Sequence, residues 1–144
     1  MILGVTGSRE NRPDNMAERL FSFMVGSGVR ELHHGDCTGW DEQAFQVARA
    51  VEARTGQRIR IIAHPCNLSR WRAHTASDEV RPVLKPLDRN RNIVAAADFV
   101  IAAPSGPEVT RSGTWSTVRY AKRIGVRGVV WPTSPASPHS PLPL

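Results

Sequence analysis

No run of about 18 apolar residues occurs in the chain, so no membrane span is expected. The opening residues, MILGVTGSRE, lack a basic leader and an apolar stretch of signal-peptide length, and they read as a first strand. Cysteine is scarce. Cys37 and Cys66 are the only two, far apart and without metal-ligand spacing, which excludes a disulfide framework and a cysteine-built zinc site. Both read as plain thiols in a reducing compartment, so a cytoplasmic location is expected. His64 and His74 have no partners at ligand spacing, and neither a metal nor a resident cofactor is expected. Lysine is nearly absent too, with Lys85 and Lys122 alone, so 17 of the 19 basic residues are arginine. They are scattered without a dense basic run, which argues against a dedicated DNA-binding tail. The net charge of +6 fits an anionic partner, and arginine's planar fork suits phosphate. The same bias can also come from GC-rich codon usage, without any ligand.

What is present suits one globular domain. The chain has 144 residues, of which 40% are hydrophobic, enough for a single core. Strand and helix signals alternate along it. Apolar strands are expected at Met1–Val5, Val29–His33, Ile59–Ala63, Phe99–Ala103 and Val126–Trp131. A helix starts at Pro13-Asp14-Asn15, with Met16, Leu20, Phe23 and Met24 on one face. Another runs from Trp40 to Arg54, with Ala44, Val47, Ala48 and Val51 at helical spacing. Asp88–Ala97 and Gly113–Ile124 read as two more. Residues 66–86 are irregular and read as a long loop, of a kind that is often functional. Alternation of this type predicts an α/β fold: a Rossmann-like three-layer domain over residues 1–132, with about five parallel strands and helices on both faces. Residues 133–144 form a Pro/Ser-rich tail expected to be disordered or extended.

Ligands of such folds bind beyond the C-terminal strand ends. The loops there are rich in Gly, Ser, Thr and Arg. Thr6-Gly7-Ser8-Arg9 follows the first strand, where glycine permits a sharp turn and close approach to a ligand. Gly35-Asp36-Cys37-Thr38-Gly39-Trp40-Asp41 follows the second. Thr38 and Asp41 there suit either a helix cap or a ligand. Asp36 lies in the loop, where it can accept from a ribose or a base. His33 and His34 are adjacent, so one should enter each face of the sheet, most simply as buried, hydrogen-bonded rings. Arg89-Asn90-Arg91 lies at a helix start, where one arginine can turn in to a phosphate. Pro104 opens a small-residue loop after the fourth expected strand, and that loop leads to Ser112-Gly113-Thr114 at the next helix. Unpaired N–H groups and the helix dipole favour an anion there.

Taken in order, Gly4-Val5-Thr6-Gly7-Ser8-Arg9, His34-Gly35-Asp36-Cys37-Thr38-Gly39-Trp40-Asp41, Arg89-Asn90-Arg91 and Ser112-Gly113-Thr114 resemble the motifs of the SLOG superfamily, from Met1 to about Pro132. That superfamily joins LOG phosphoribohydrolases, the DNA-processing DprA domain and small YspA-like or YpsA-related proteins. The resemblance implies a nucleotide-like ligand and a homodimer or larger homo-oligomer. It also implies a ligand site drawn from Thr6, Gly7, Ser8, Arg9, Gly35, Asp36, Thr38, Gly39, Asp41, Arg89, Asn90, Pro104, Ser112, Gly113, Thr114 and Thr117.

One departure bears on chemistry. LOG enzymes carry a glutamate that acts in cleaving the N-glycosidic bond, and the matching position here is Thr117. Threonine cannot act as a carboxylate base. The candidates for a catalytic role are then Asp36, Arg89 and Glu108, with Asp41 as a further carboxylate on the opposite wall. The favoured expectation is binding of a phosphorylated nucleoside or nucleotide-derived ligand, as a sensor or sequestering protein. The alternatives are a nucleoside 5′-monophosphate phosphoribohydrolase and a DprA-like binder of single-stranded DNA.

Overall fold

A computed structural model describes residues 1–131 and 142–143 of the chain. Its seven strands are β1 (Ile2–Gly7), β2 (Glu31–His34), β3 (Arg60–Ala63), β4 (Glu79–Val80), β5 (Phe99–Ala103), β6 (Arg127–Val130) and β7 (Leu142–Pro143). The helices are α1 (Asp14–Gly26), α2 (Trp40–Thr55), α3 (Pro86–Ala96) and α4 (Gly113–Ile124). One sheet has the order β4-β3-β2-β1-β5-β6-β7. Every pairing up to β6 is parallel, and β7 runs antiparallel on β6. The α/β, Rossmann-like expectation therefore holds, with β4 and the edge strand β7 added to the five expected strands. Of the expected tail, Leu142 and Pro143 are extended; the other positions lie outside the described residues.

Helices α1 and α2 pack together on one face, and α3 and α4 on the other. The strands explain this layering. Leu3, Val5, Leu32, Ile61, Val100 and Ile101 are wholly buried, as parallel strands covered on both sides require. The main core joins the sheet to the α1/α2 face through Met16, Leu20, Met24, Trp40, Ala44, Ala48 and Val51. Smaller clusters serve the other face, Trp115 and Val118 with Ala102 and Val130, and Val94 with Val100 and Ala121.

Residues 66–86 correct the long-loop reading. They hold a single 3₁₀ turn, Ser69–Trp71, and the short strand β4 pairs with β3 at Ile62 and Ala63. Cys66 bridges to Leu84 and Cys37 to Arg72. The pin is Asp36. Its carboxylate accepts from Arg72 Nε at 2.9 Å, Thr75 Oγ1 at 2.8 Å and the Thr75 N–H at 3.0 Å. Asp36 itself sits at φ 55°, a left-handed conformation that aspartate tolerates better than most residues.

Strand β1 lies between β2 and β5, so strand order reverses beside it. The crevice of a doubly wound sheet opens at such a point.

Candidate functional site

A cleft of about 320 Å³ opens at the C-terminal ends of β1, β2 and β5. Thr6, Gly7, Ser8 and Arg9 line it from the first loop, Gly35 and Asp41 from the second, and Arg89 and Asn90 from α3. Ser112, Gly113 and Thr114 line it from α4. Eleven of the expected ligand residues thus meet in one cavity.

Close backbone packing builds the floor. The N–H of Ser8 donates to Ala103 O at 3.0 Å, and the N–H of Trp40 to Ser8 O at 3.0 Å. The second bond closes the N-terminus of α2 with protein. Gly39 makes this approach possible: it sits at φ 90°, and a Cβ there would lie 2.3 Å from the Arg9 carbonyl carbon. Gly39 therefore supports the loop from beneath and does not line the cavity. Thr38 is also outside it, with Oγ1 donating to Arg9 O at 3.3 Å and its N–H to Trp71 O at 2.9 Å. Arg9 stacks on Trp71, its guanidinium carbon 3.4 Å from the ring centroid, and Arg70 lies 4.2 Å from the same ring.

Arg89 is nearly buried, 6% exposed. Its Nη1 donates to Gly35 O and, at 2.9 Å, to His64 O. Nη2 reaches Cys37 Sγ at 3.5 Å, and Nε donates to Asn90 Oδ1 at 2.5 Å. The guanidinium ties the ends of β2 and β3 to α3, and its donors are largely committed to protein. Gly35 is required by packing: a Cβ would lie 2.5 Å from Arg89 Nη1 and 2.7 Å from Asp41 Oδ2. Burial pushes the Asp41 carboxyl up to about 6, although Arg89 and the Cys37 N–H, at 3.2 Å, pull it down. Burial likewise raises the Cys37 thiol, which stays protonated at neutral pH. Burial also works against the Arg89 charge, but the Asp41 carboxylate opposes it and Arg89 stays cationic.

At α4 the Ser112 hydroxyl accepts from the Trp115 N–H at 3.2 Å. The N–H groups of Gly113 and Thr114, the two residues before it, have no carbonyl in the same helix to reach. The loop before α4 is held down on both sides. Trp115 Nε1 donates to Gly106 O at 3.2 Å; Arg119 binds Glu108 Oε2 at 2.9 Å and Thr110 O at 3.1 Å.

These contacts redirect several expected site residues. Asp36 does not line the cleft; its carboxylate accepts from Arg72 and Thr75 and holds the 66–86 segment. Glu108 is exposed and tied to Arg119, away from the cleft. Thr117 is buried, its Oγ1 donating to Gly113 O at 2.8 Å, and it lines a separate small cavity between α3 and α4. Pro104 is buried just behind the wall that Ser105 forms. Glu10, Cys37, Ser105 and Arg111, not among the expected ligand residues, also line the cleft. Single residues in irregular loops carry no periodic signal, though Arg111 beside Ser112-Gly113-Thr114 was within reach of a charge argument. Asp41 and Glu10 are the carboxylates that line the cleft among the described residues.

His33 and His34 enter opposite faces, as adjacent strand positions must. His34 accepts the Asp36 N–H at 2.9 Å and meets Ser77 Oγ at 3.0 Å. His33 meets His64 at 2.7 Å.

No protein-family model matches the chain, and no curated protein matches it. Solved structures do. One is the molybdenum cofactor binding protein from the phototrophic bacterium Rippkaea orientalis, 26% identical, with a TM-score of 0.64 over 94% of this chain and 78% of that one. Another is the structural-genomics target TM1055, 18% identical, with a TM-score of 0.60 over 86% of this chain and 69% of that one. Fold and cleft together define a Rossmann-like α/β protein with a ligand-sized cavity at its topological switch point.

Proposed function

We propose that this chain is a SLOG-type protein that binds a phosphorylated nucleoside or nucleotide-derived ligand, as a sensor or sequestering protein. One observation carries the reading. The open N-terminus of α4, with the N–H groups of Gly113 and Thr114, borders the same cavity as Arg9 and Arg111. An anion there meets backbone donors, a helix dipole and two arginines, while the α2 N-terminus is closed by Ser8 O. The molybdenum cofactor binding protein of Rippkaea orientalis supports a small-molecule ligand in a fold of this kind. Calorimetry with a nucleoside 5′-monophosphate, the parent nucleoside and the molybdenum cofactor tests the reading. Saturable binding of the monophosphate, at least about tenfold tighter than the nucleoside, is expected from a charge-assisted phosphate contact. Equal affinity for nucleoside and monophosphate would refute it; binding of the molybdenum cofactor alone would reassign the ligand.

A second reading rests on Asp41. A buried carboxyl in the cleft with a pKa raised to about 6 has the property of a general acid or base near neutrality. On that reading the protein hydrolyses an N-glycosidic bond with Asp41 in place of the family glutamate. Release of free base from AMP, abolished in Asp41→Asn, would establish it. No release at micromolar enzyme leaves binding as the function. The DNA-binding alternative has little stacking surface to use. Trp40, Trp115 and Trp131 are buried, and Arg9 already stacks on Trp71.

A further inference from the structure

On the far side of Arg89 lies a second cleft of about 470 Å³, lined among others by His64, Arg81, Leu84, Asn92 and Ala96. A buried hydrogen-bonded chain ends in it. His33 pairs in register with Ile62, so Glu31, His33 and His64 fall on one face of the sheet. Glu31 Oε1 lies 2.6 Å from His33 Nε2, and His33 Nδ1 lies 2.7 Å from His64 Nε2. A carboxylate can only accept, so His33 Nε2 carries a proton. Burial disfavours the charged form of both rings, and each keeps one N–H. The His33 proton is committed to Glu31. Its Nδ1 therefore accepts, and the His64 proton sits on Nε2.

This leaves His64 Nδ1 as a bare acceptor. It has no hydrogen-bond partner among the described residues. His64 is only 3% exposed, yet the fully buried unpaired side-chain polar atom among those residues is Trp40 Nε1. The Nδ1 of His64 is therefore not fully enclosed, and its residue lines this cleft. The rim is basic. Arg81 and Arg89 both line it, and the Glu79 carboxylate that pairs with Arg81 is shared with Arg60 outside the cleft. Pro82, Leu84 and Ala95 add apolar wall.

We propose that this second cleft binds a small organic anion that carries its own hydrogen-bond donor, an α-hydroxy carboxylate being the simplest, with its carboxylate at Arg81 and its hydroxyl donating to His64 Nδ1. The site is separate from the nucleotide cleft but shares Arg89 with it. Arg89 Nη1 donates to Gly35 O in one wall and His64 O in the other.

Side-chain ¹⁵N NMR of the histidines in the full chain at neutral pH tests the proposal, with lactate as probe and propionate as the analogue lacking the hydroxyl. The free protein should show His64 protonated at Nε2 only. Lactate should shift its Nδ1 resonance saturably with a millimolar Kd, and propionate should bind about tenfold more weakly because His64 is left unpaired. Arg81 is exposed, so Arg81→Ala should keep the amide spectrum while weakening lactate by about tenfold. A proton on His64 Nδ1, no saturable shift with lactate, or equal shifts from lactate and propionate would each overturn it.

Discussion

Asp41 is the residue on which binding and hydrolysis part company. Its carboxyl titrates near 6 and lines the cleft proposed for an anion. An ionised Asp41 repels that anion, so the contribution of Asp41 to monophosphate affinity should rise as pH falls through 6, against the loss of charge on the phosphate, whose second pKa is also about 6. Asp41→Asn should bind severalfold more tightly at neutral pH and lose the part of the pH dependence that Asp41 supplies. Calorimetry across pH checks this: equal affinity and an unchanged profile in the variant would remove Asp41 from the anion's neighbourhood. Gly35 makes a second residue-scale prediction. Gly35→Ala drives a methyl into Arg89 Nη1 and Asp41 Oδ2, an overpacking that should cost about 1–3 kcal/mol in denaturant unfolding. Several of these residues were legible in the sequence because their chemistry is local. A Gly-rich loop after an apolar strand declares a close approach, and Ser-Gly-Thr before a helix declares a cap. The fate of the Asp36 carboxylate was not legible, because its partners Arg72 and Thr75 are 36 and 39 residues away.

Among the elements, the buried strands and amphipathic helices were readable from periodicity alone. Strand β4 was not. Glu79–Val80 is two residues long and half polar, and it is aligned by Asp78, whose carboxylate accepts from the Ile61 N–H at 2.7 Å. The His33–His64 pair was hidden for a related reason, since only the β2/β3 register brings the two rings together. The segment over residues 66–86 therefore depends on contacts made outside it. Asp36→Ala should loosen it, cost about 1–3 kcal/mol, and leave the β1–β2 pairing intact. Hydrogen exchange reads this directly: protection should fall at Ala73 and Thr75 and persist at Leu32. Uniform loss of protection would mean instead that Asp36 supports the whole sheet. At α4, Ser112→Ala removes the cap to the Trp115 N–H and should cost about 1 kcal/mol.

For the molecule as a whole, the buried histidines set the response to acid. Burial lowers His33, takes His34 to about 4 and takes His64 to about 3. An unfolded histidine titrates near 6.5, so below that pH the unfolded chain binds protons that the native chain refuses. The stability these groups contribute is complete above 6.5 and is lost progressively as pH falls toward 4 and 3. Asp41 acts in the opposite sense: its raised pKa contributes stability in acid that disappears as pH rises through 6. Three histidines outweigh one aspartate. Unfolding free energy should fall by on the order of 2 kcal/mol between pH 6.5 and 5, at about 1.4 kcal/mol per proton per pH unit. Denaturant titrations at the two pH values measure it, and a flat profile would mean that the rings protonate within the native state. No helix among the described residues is long and apolar enough to cross a membrane.

On the proposed function, an anionic ligand rests where β1, β5 and α4 converge. Backbone amide NMR during a titration with AMP tests it most directly. The predicted result is a saturable set of shifts at Gly7, Ser8, Gly113 and Thr114, with adenosine producing much smaller ones. Shifts confined to the outer arginines of α4, or no saturable shift at the four named amides, would contradict it.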